Sequence, residues 1–223
     1  MKTFLQFIQE SKKSDKPDWH THEDWVRNHQ NLHIGLTPSH VHNELKSRYP
    51  LSGVPHQDAI HSYNQSSKEI NHALVSSSRG GHSLNDGHKA HVTHLDKAIG
   101  HHALTHDLHV YSGLGFHPGE EAAKSPDNHI HLPAYTSSSI DKEKASFFAR
   151  DAKEAQHLLH IHLKPGQKGL YLGDKGNEKE FLLPRNIKLR VHPKPEKVGP
   201  SSSPYLPSNL HVWRAEVVDQ EKG

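Results

Sequence analysis

The chain has no cysteine, a single methionine and no long apolar run. Without cysteine it can form neither a disulfide nor a thiolate metal site. No apolar stretch approaches the roughly 20 residues that a membrane-spanning helix needs. Met1–Glu10 lacks the long apolar stretch of a secretory signal. An excess of one charge is missing too: 27 basic side chains face 25 acidic ones, a net +2. That balance argues against nucleic acid as the main partner and against a membrane surface. Hydrophobic residues make up 32% of the chain and aromatics 7%, which predicts a modest core wrapped in polar loops. A length of 223 residues suits one domain with a short appendage.

Histidine, by contrast, is abundant, with 25 copies. His20/His22, His129/His131 and His160/His162 are spaced two apart, which on a strand puts both imidazoles on one face. Such a pair can ligate a metal. The plainer reading is that histidine fills exposed polar positions, because no carboxylate recurs beside the pairs at a fixed offset. No metal is expected, and a broad change of charge near pH 6 follows on either reading.

The pattern divides the chain into a mainly helical part, residues 19–106, and a mainly β part, residues 107–223. MKTFLQFIQESKK has the spacing of a short amphipathic helix, and Ser14 to Asp18 reads as the end of a linker over 11–18. Helices are expected to open near Thr37, over Asp58 to Val75, and over Val92 to Ala103. Ser76 to Gly87 reads as a loop. Beyond Asp107, LHVYSG, PAYTSSSI, HLLHIHL, GLYLG, EFLLP, IKLRVH and NLHVWRAEVV read as short strands, interrupted by one helix over Asp141 to Ala152. Pro193 to Pro207 reads as a loop between the last two strands. Helices first and strands later predict an α+β domain.

Three segments carry chemistry. Glu178-Lys-Glu180 places two carboxylates at i and i+2, which a regular strand holds on one face. Paired carboxylates suit reaction at an anomeric carbon: one stabilises an oxocarbenium-like transition state and the other orients or deprotonates the incoming group. Tyr135-Thr-Ser-Ser-Ser139 offers hydroxyls that can bond a ligand or brace a carboxylate. His109-Val-Tyr-Ser-Gly113 ends a strand. Taken singly, the first two are an ordinary acidic turn and an ordinary polar loop.

Their order and flanks resemble the Arg–Ser–Glu class of ADP-ribosyltransferases, toxin-like enzymes with phage-encoded members. YTSSS is similar to the class's serine motif, and NEKEFLLPRN to its glutamate motif. Ile60-x-x-Tyr63 and Ile70-Asn71-x-x-Leu74 resemble the helix that precedes its first core strand. The resemblance covers residues 55–192. It implies an ADP-ribosyltransferase-like fold, with N-terminal helices followed by two packed, mainly antiparallel sheets around an NAD⁺ cleft. It further implies Glu180 as the central catalytic carboxylate, Glu178 as the acceptor contact that accompanies arginine modification, and Ser137 as the brace. Tyr111, Ser112, Gly113, Ser138, Ser139 and Phe148 would meet the dinucleotide, although Phe148 also reads as a core residue. Gly169–Lys179 would recognise the acceptor. The class arginine that binds phosphate is replaced by Ser112, and Arg79, His117 or Arg185 would have to supply charge. A catalytically inactive fold, an NAD⁺ glycohydrolase and a nucleic-acid-modifying enzyme are the alternatives.

MKTFLQFIQE also resembles the capsid-targeting peptides of T-even-like phages, which a prohead protease cuts after a hydrophobic-x-Glu site, here Glu10. This implies packaging within the head scaffold, injection, and a host acceptor protein in the cytoplasm, with transcription machinery one candidate.

Overall fold

In the computed structural model, residues 38–149, 156–173, 178–198, 206–207 and 209–220 can be described. The expected N-terminal helix, linker and Glu10 cleavage site lie outside them. The described residues belong to one compact unit, Leu36–Gly223.

Helix α1 spans Pro38–Arg48, α2 Gln57–Ser78 and α3 Asp86–Ile99. Strand β1 (Leu108–Leu114) leads to the short α4 (Pro118–Ala123) and then to β2 (His129–Leu132) and β3 (Thr136–Ser139). After α5 (Lys142–Phe148) come β4 (Gln156–Leu163), β5 (Leu170–Gly173), β6 (Glu180–Leu183) and β7 (Ile187–Val191). Strands β8 (Glu196–Val198) and β9 (Leu210–Gln220) close the order. Helices precede strands, as the α+β reading requires.

Where two sheets were expected, one hydrogen-bonded path runs β2-β7-β9-β4-β1-β3-β6-β5, with β8 on β9. Its two halves meet at a narrow seam. Seven aligned pairs join β1 to β4, whereas β1 and β3 share the single pair Tyr111↔Ser139. All strand pairs are antiparallel except β4 with β9.

The alternation of side chains along each strand gives the sheet two apolar faces. Val110, Leu159, Ile161, Phe181, Leu183 and Ala215 belong to one core. Leu170, Leu172 and Leu182 belong to a second, with Ile60, Tyr63 and Ile70 of α2 and Leu95 and Ile99 of α3, and Leu158, Leu210 and Val212 to a third. Burying each such side chain contributes about 1.5–3 kcal/mol, so α2 and α3 are held chiefly by this stripe. Helix α3 starts six residues before the expected Val92, because Asn85 caps it by accepting a hydrogen bond from His88 N. Helix α2 bends at Ser66, whose φ and ψ are −128° and 22°. Asp141 caps α5 as expected, accepting from Glu143 N and Lys144 N. Among the described residues, α4, β2, β8 and a 3-10 turn over Leu51–Gly53 escaped the pattern, all of six residues or fewer. So short a run carries too few periods to be read.

The histidines only partly fill exposed positions. His157 and His162 are buried, and the His109, His160 and His162 rings form a stacked and tilted group across β1 and β4. His157 lies 4.6 Å from His117 and 5.7 Å from His211, ring centre to centre, and accepts a hydrogen bond from the Trp213 indole. Burial lowers the His157 pKa from 6.5; His117 and His211 lower it further, and Glu120 opposes them. His211 is lowered by burial, Lys197 and His117. The folded state therefore binds fewer protons than the unfolded chain. The stability from these groups is complete above about pH 6.5 and is lost as pH falls toward the folded values. The melting temperature is expected to drop between about pH 7.5 and 5.5, and His157→Gln to flatten the drop. An equal melting temperature at both pH values in calorimetry would contradict this.

Candidate active site

Strands β1, β3 and β6 are consecutive neighbours, and they bring the three sequence motifs to one place. Four residue pairs align β3 with β6, including Ser139↔Glu180 and Ser137↔Leu182. Serine hydroxyls then tie the strand ends together. Ser137 Oγ donates to Glu180 Oε1 at 2.6 Å, and Ser112 Oγ donates to the Ser137 carbonyl at 2.8 Å. Ser138 Oγ donates to the Phe181 carbonyl and Ser139 Oγ to the Glu178 carbonyl. One residue of the serine motif thus orients a carboxylate directly, and its neighbours lock the backbone around it.

The two glutamates are not held on one face by a regular strand. Strand β6 begins at Glu180, and Lys179 adopts a left-handed conformation with φ 49°. Both glutamates nevertheless line one cleft of about 750 Å³, within the usual range for a ligand site. Tyr63, Asn64, Ser67 and Asn71 of α2 form one wall. Tyr111, Ser112 and Gly113 of β1 and the run Tyr135–Ser139 form the floor. Phe116 and Phe148 stand at the other side, 39% and 57% exposed. The core reading of Phe148 is therefore overturned: α5 ends beneath it and leaves its ring facing solvent and the cleft.

Helix α5 reaches this position because Gly113 lets it approach. A Cβ on Gly113 would lie 2.6 Å from Ala149 N and 2.7 Å from Phe148 C. Elsewhere in the lining, Tyr63 meets Tyr135 edge-on with ring centres 5.5 Å apart and accepts a hydrogen bond from Asn71 Nδ2 at 2.9 Å. Burial pushes the Tyr63 pKa up to about 12, with Glu180 adding to the shift against the Asn71 hydrogen bond. Burial likewise pushes Tyr111 up to about 12, aided by Glu196 and Asp141. Both phenols stay protonated and can donate to a ligand. Tyr135 is raised as well, by burial and then Asp96; its hydroxyl donates to Asp96 at 2.7 Å and fixes β3 to α3.

The replacements expected for the missing arginine lie elsewhere. Arg185 is bound to Asp96 at 2.8 Å, His117 caps α4, and Arg79 follows the end of α2. Among the described residues that line the cleft there is no lysine, arginine or histidine. Ser112 is itself only 3% exposed, and its hydroxyl is committed to the Ser137 carbonyl. The Gly169–Lys179 stretch contributes Leu172, Gly173 and Glu178 to the lining of the cleft; residues 174–177 lie outside the described part. Sequence reasoning gave no site role to Tyr63, Asn64, Ser67, Asn71 or Phe116. The i, i+3, i+7 spacing of Asn64, Ser67 and Asn71 beside the apolar stripe was a signal for a polar helix face turned toward a ligand.

The model of the ADP-ribosyltransferase exoenzymes matches residues 54–205, more than half of the chain. This chain belongs to that family. Its members transfer ADP-ribose from NAD⁺, and the serine and glutamate segments above fall inside the matched region. Solved structures agree in fold. The ADP-ribosyltransferase toxin Plx2a from Paenibacillus larvae is 14% identical, with a TM-score of 0.62 over 82% of this chain and 95% of the toxin. The Clostridium limosum C3 exoenzyme is 15% identical, with a TM-score of 0.60 over 84% of this chain and 95% of its own. C3stau2 from S. aureus, solved with NAD, is 16% identical, with a TM-score of 0.58 over 82% of this chain and 95% of that one. No curated protein sequence matches the chain.

Proposed function

We propose that this family member moves one ADP-ribose unit from NAD⁺ to an arginine side chain of a host protein. The observation that carries the reading is the Glu180 carboxylate, held by Ser137 Oγ at 2.6 Å in the cleft it shares with Glu178. The bond between the ribose C1′ and the nicotinamide nitrogen breaks, and its electron pair leaves with neutral nicotinamide. The Glu180 carboxylate faces the positive charge that develops on the ribose. A guanidinium nitrogen of the acceptor forms the new C–N bond at C1′ and gives up one proton, for which Glu178 is the base. Glu178 also supplies a negative charge against which a guanidinium can be aligned. The phenols of Tyr63 and Tyr111 and the amide of Asn71 supply neutral donors for the dinucleotide.

The setting we propose is a phage head. It rests on MKTFLQFIQE alone: cleavage after Glu10 by the prohead protease, packaging with the head scaffold, injection, and modification of an acceptor in the host cytoplasm.

Agmatine, a soluble guanidine, and labelled NAD⁺ test the acceptor chemistry. Glu178→Gln is expected to lower transfer to agmatine about a hundredfold while NAD⁺ hydrolysis continues. Mass spectrometry of host extract should then find the label on arginine; label on asparagine or on nucleic acid would replace this reading. A second reading, a fold retained without turnover, is favoured by Ser112 standing in place of the class arginine. Calorimetry with NAD⁺ separates the two, since no binding at millimolar ligand would select the inactive protein.

A further inference from the structure

The two glutamates of the cleft are held in different ways. Glu180 has the Ser137 hydroxyl against its carboxylate. The Glu178 carboxylate has no hydrogen-bond or ion-pair partner among the described residues, so among them it is the backbone that directs it. That backbone is pinned from one side. Ser139 Oγ donates to the Glu178 carbonyl and accepts from Asp141 N at 3.0 Å. Ile140 N donates to the Lys179 carbonyl at 3.2 Å. Lys179 between the glutamates is left-handed, and its side chain meets Asp141, with Nζ 3.2 Å from Oδ2. Both side chains of this pair are shielded, 13% and 15% exposed. Asp141 uses its other oxygen to cap α5, the helix that carries Phe148.

We propose that the Lys179–Asp141 ion pair is a positioning latch that sets where the Glu178 carboxylate meets the acceptor, and so decides between transfer to an acceptor and loss of ADP-ribose to water. The proposal rests on the transferase reading given above. The physical reason is the strain of a non-glycine residue at φ 49°, which persists only where its surroundings over-determine it. Removing the charge at either end leaves the hydrogen bonds from the Ser139 hydroxyl and from Ile140 N to hold the turn. Glu178 then samples other directions, while Glu180, braced independently by Ser137, keeps its place.

Lys179→Met keeps the length of the stem and removes the charge. Asp141→Asn keeps an oxygen to cap α5 and removes the charge from the other end. In both variants, transfer to agmatine is expected to fall about tenfold or more, with NAD⁺ hydrolysis within about twofold of the unaltered chain. The double variant should be no worse than either single one, because one interaction is being removed. A parallel fall of both activities, or no change in either, would overturn the latch. If the unaltered chain neither transfers nor hydrolyses, the transferase reading fails instead, and backbone hydrogen exchange at residues 178–180 still decides the latch. Faster exchange there in both variants supports it, and unchanged exchange rejects it.

Discussion

Glu180→Gln is expected to lower both ADP-ribose transfer and NAD⁺ hydrolysis by about two to three orders of magnitude, at unchanged melting temperature. Glutamine keeps the oxygen that accepts the Ser137 hydroxyl at 2.6 Å, so the side chain keeps its place and loses only its charge. The charge is what the reaction needs. As the bond to nicotinamide lengthens, positive charge builds on the ribose, and a fixed carboxylate stabilises that transition state more than it stabilises the bound dinucleotide. NAD⁺ affinity should change little. Single-turnover rates with labelled NAD⁺, read beside calorimetric binding, check both halves of the statement. Wild-type rates in purified Glu180→Gln would remove Glu180 from the chemistry.

The second large effect is on stability. Gly113→Ala is expected to cost about 3 kcal/mol, since overpacking a filled site costs roughly 1–3 kcal/mol and here no side chain can move aside. The added Cβ would meet Ala149 N at 2.6 Å and Ala145 O at 3.0 Å, all backbone of α5 and the residue after it. A loss of that size lowers the melting temperature of a chain this long by roughly 6–12 °C. Because α5 carries Phe148 and is capped by Asp141, NAD⁺ binding should weaken in the surviving folded fraction. A melting temperature within about 1 °C of wild type would mean that α5 does not sit this closely on β1.

The motifs were legible because their residue types are unusual in combination: four consecutive hydroxyls, and two glutamates ahead of Phe181-Leu182-Leu183. Their meeting was foreseeable only through resemblance to known transferases. Nothing in the spacing of residues 112, 137 and 180 requires that β3 lie between β1 and β6. The regular-strand reading of Glu178 and Glu180 failed because Lys179 between them is left-handed and pairs with Asp141, 38 residues away. The core reading of Phe148 failed because α5 is seven residues long, too short for periodicity to say which aromatic turns inward.

Composition by itself determined that this chain carries no disulfide or thiolate site, and periodicity determined that helices come first and strands later. Those properties depend on residue identity and on neighbours one turn or one pleat away. The tertiary structure alone decided that one continuous sheet replaces two, that Ser112 donates to the Ser137 carbonyl of the neighbouring strand, and that His157 lies buried against Trp213. Each of those outcomes is set by contacts between segments far apart in the chain, whose free energies exist only once the strands have paired.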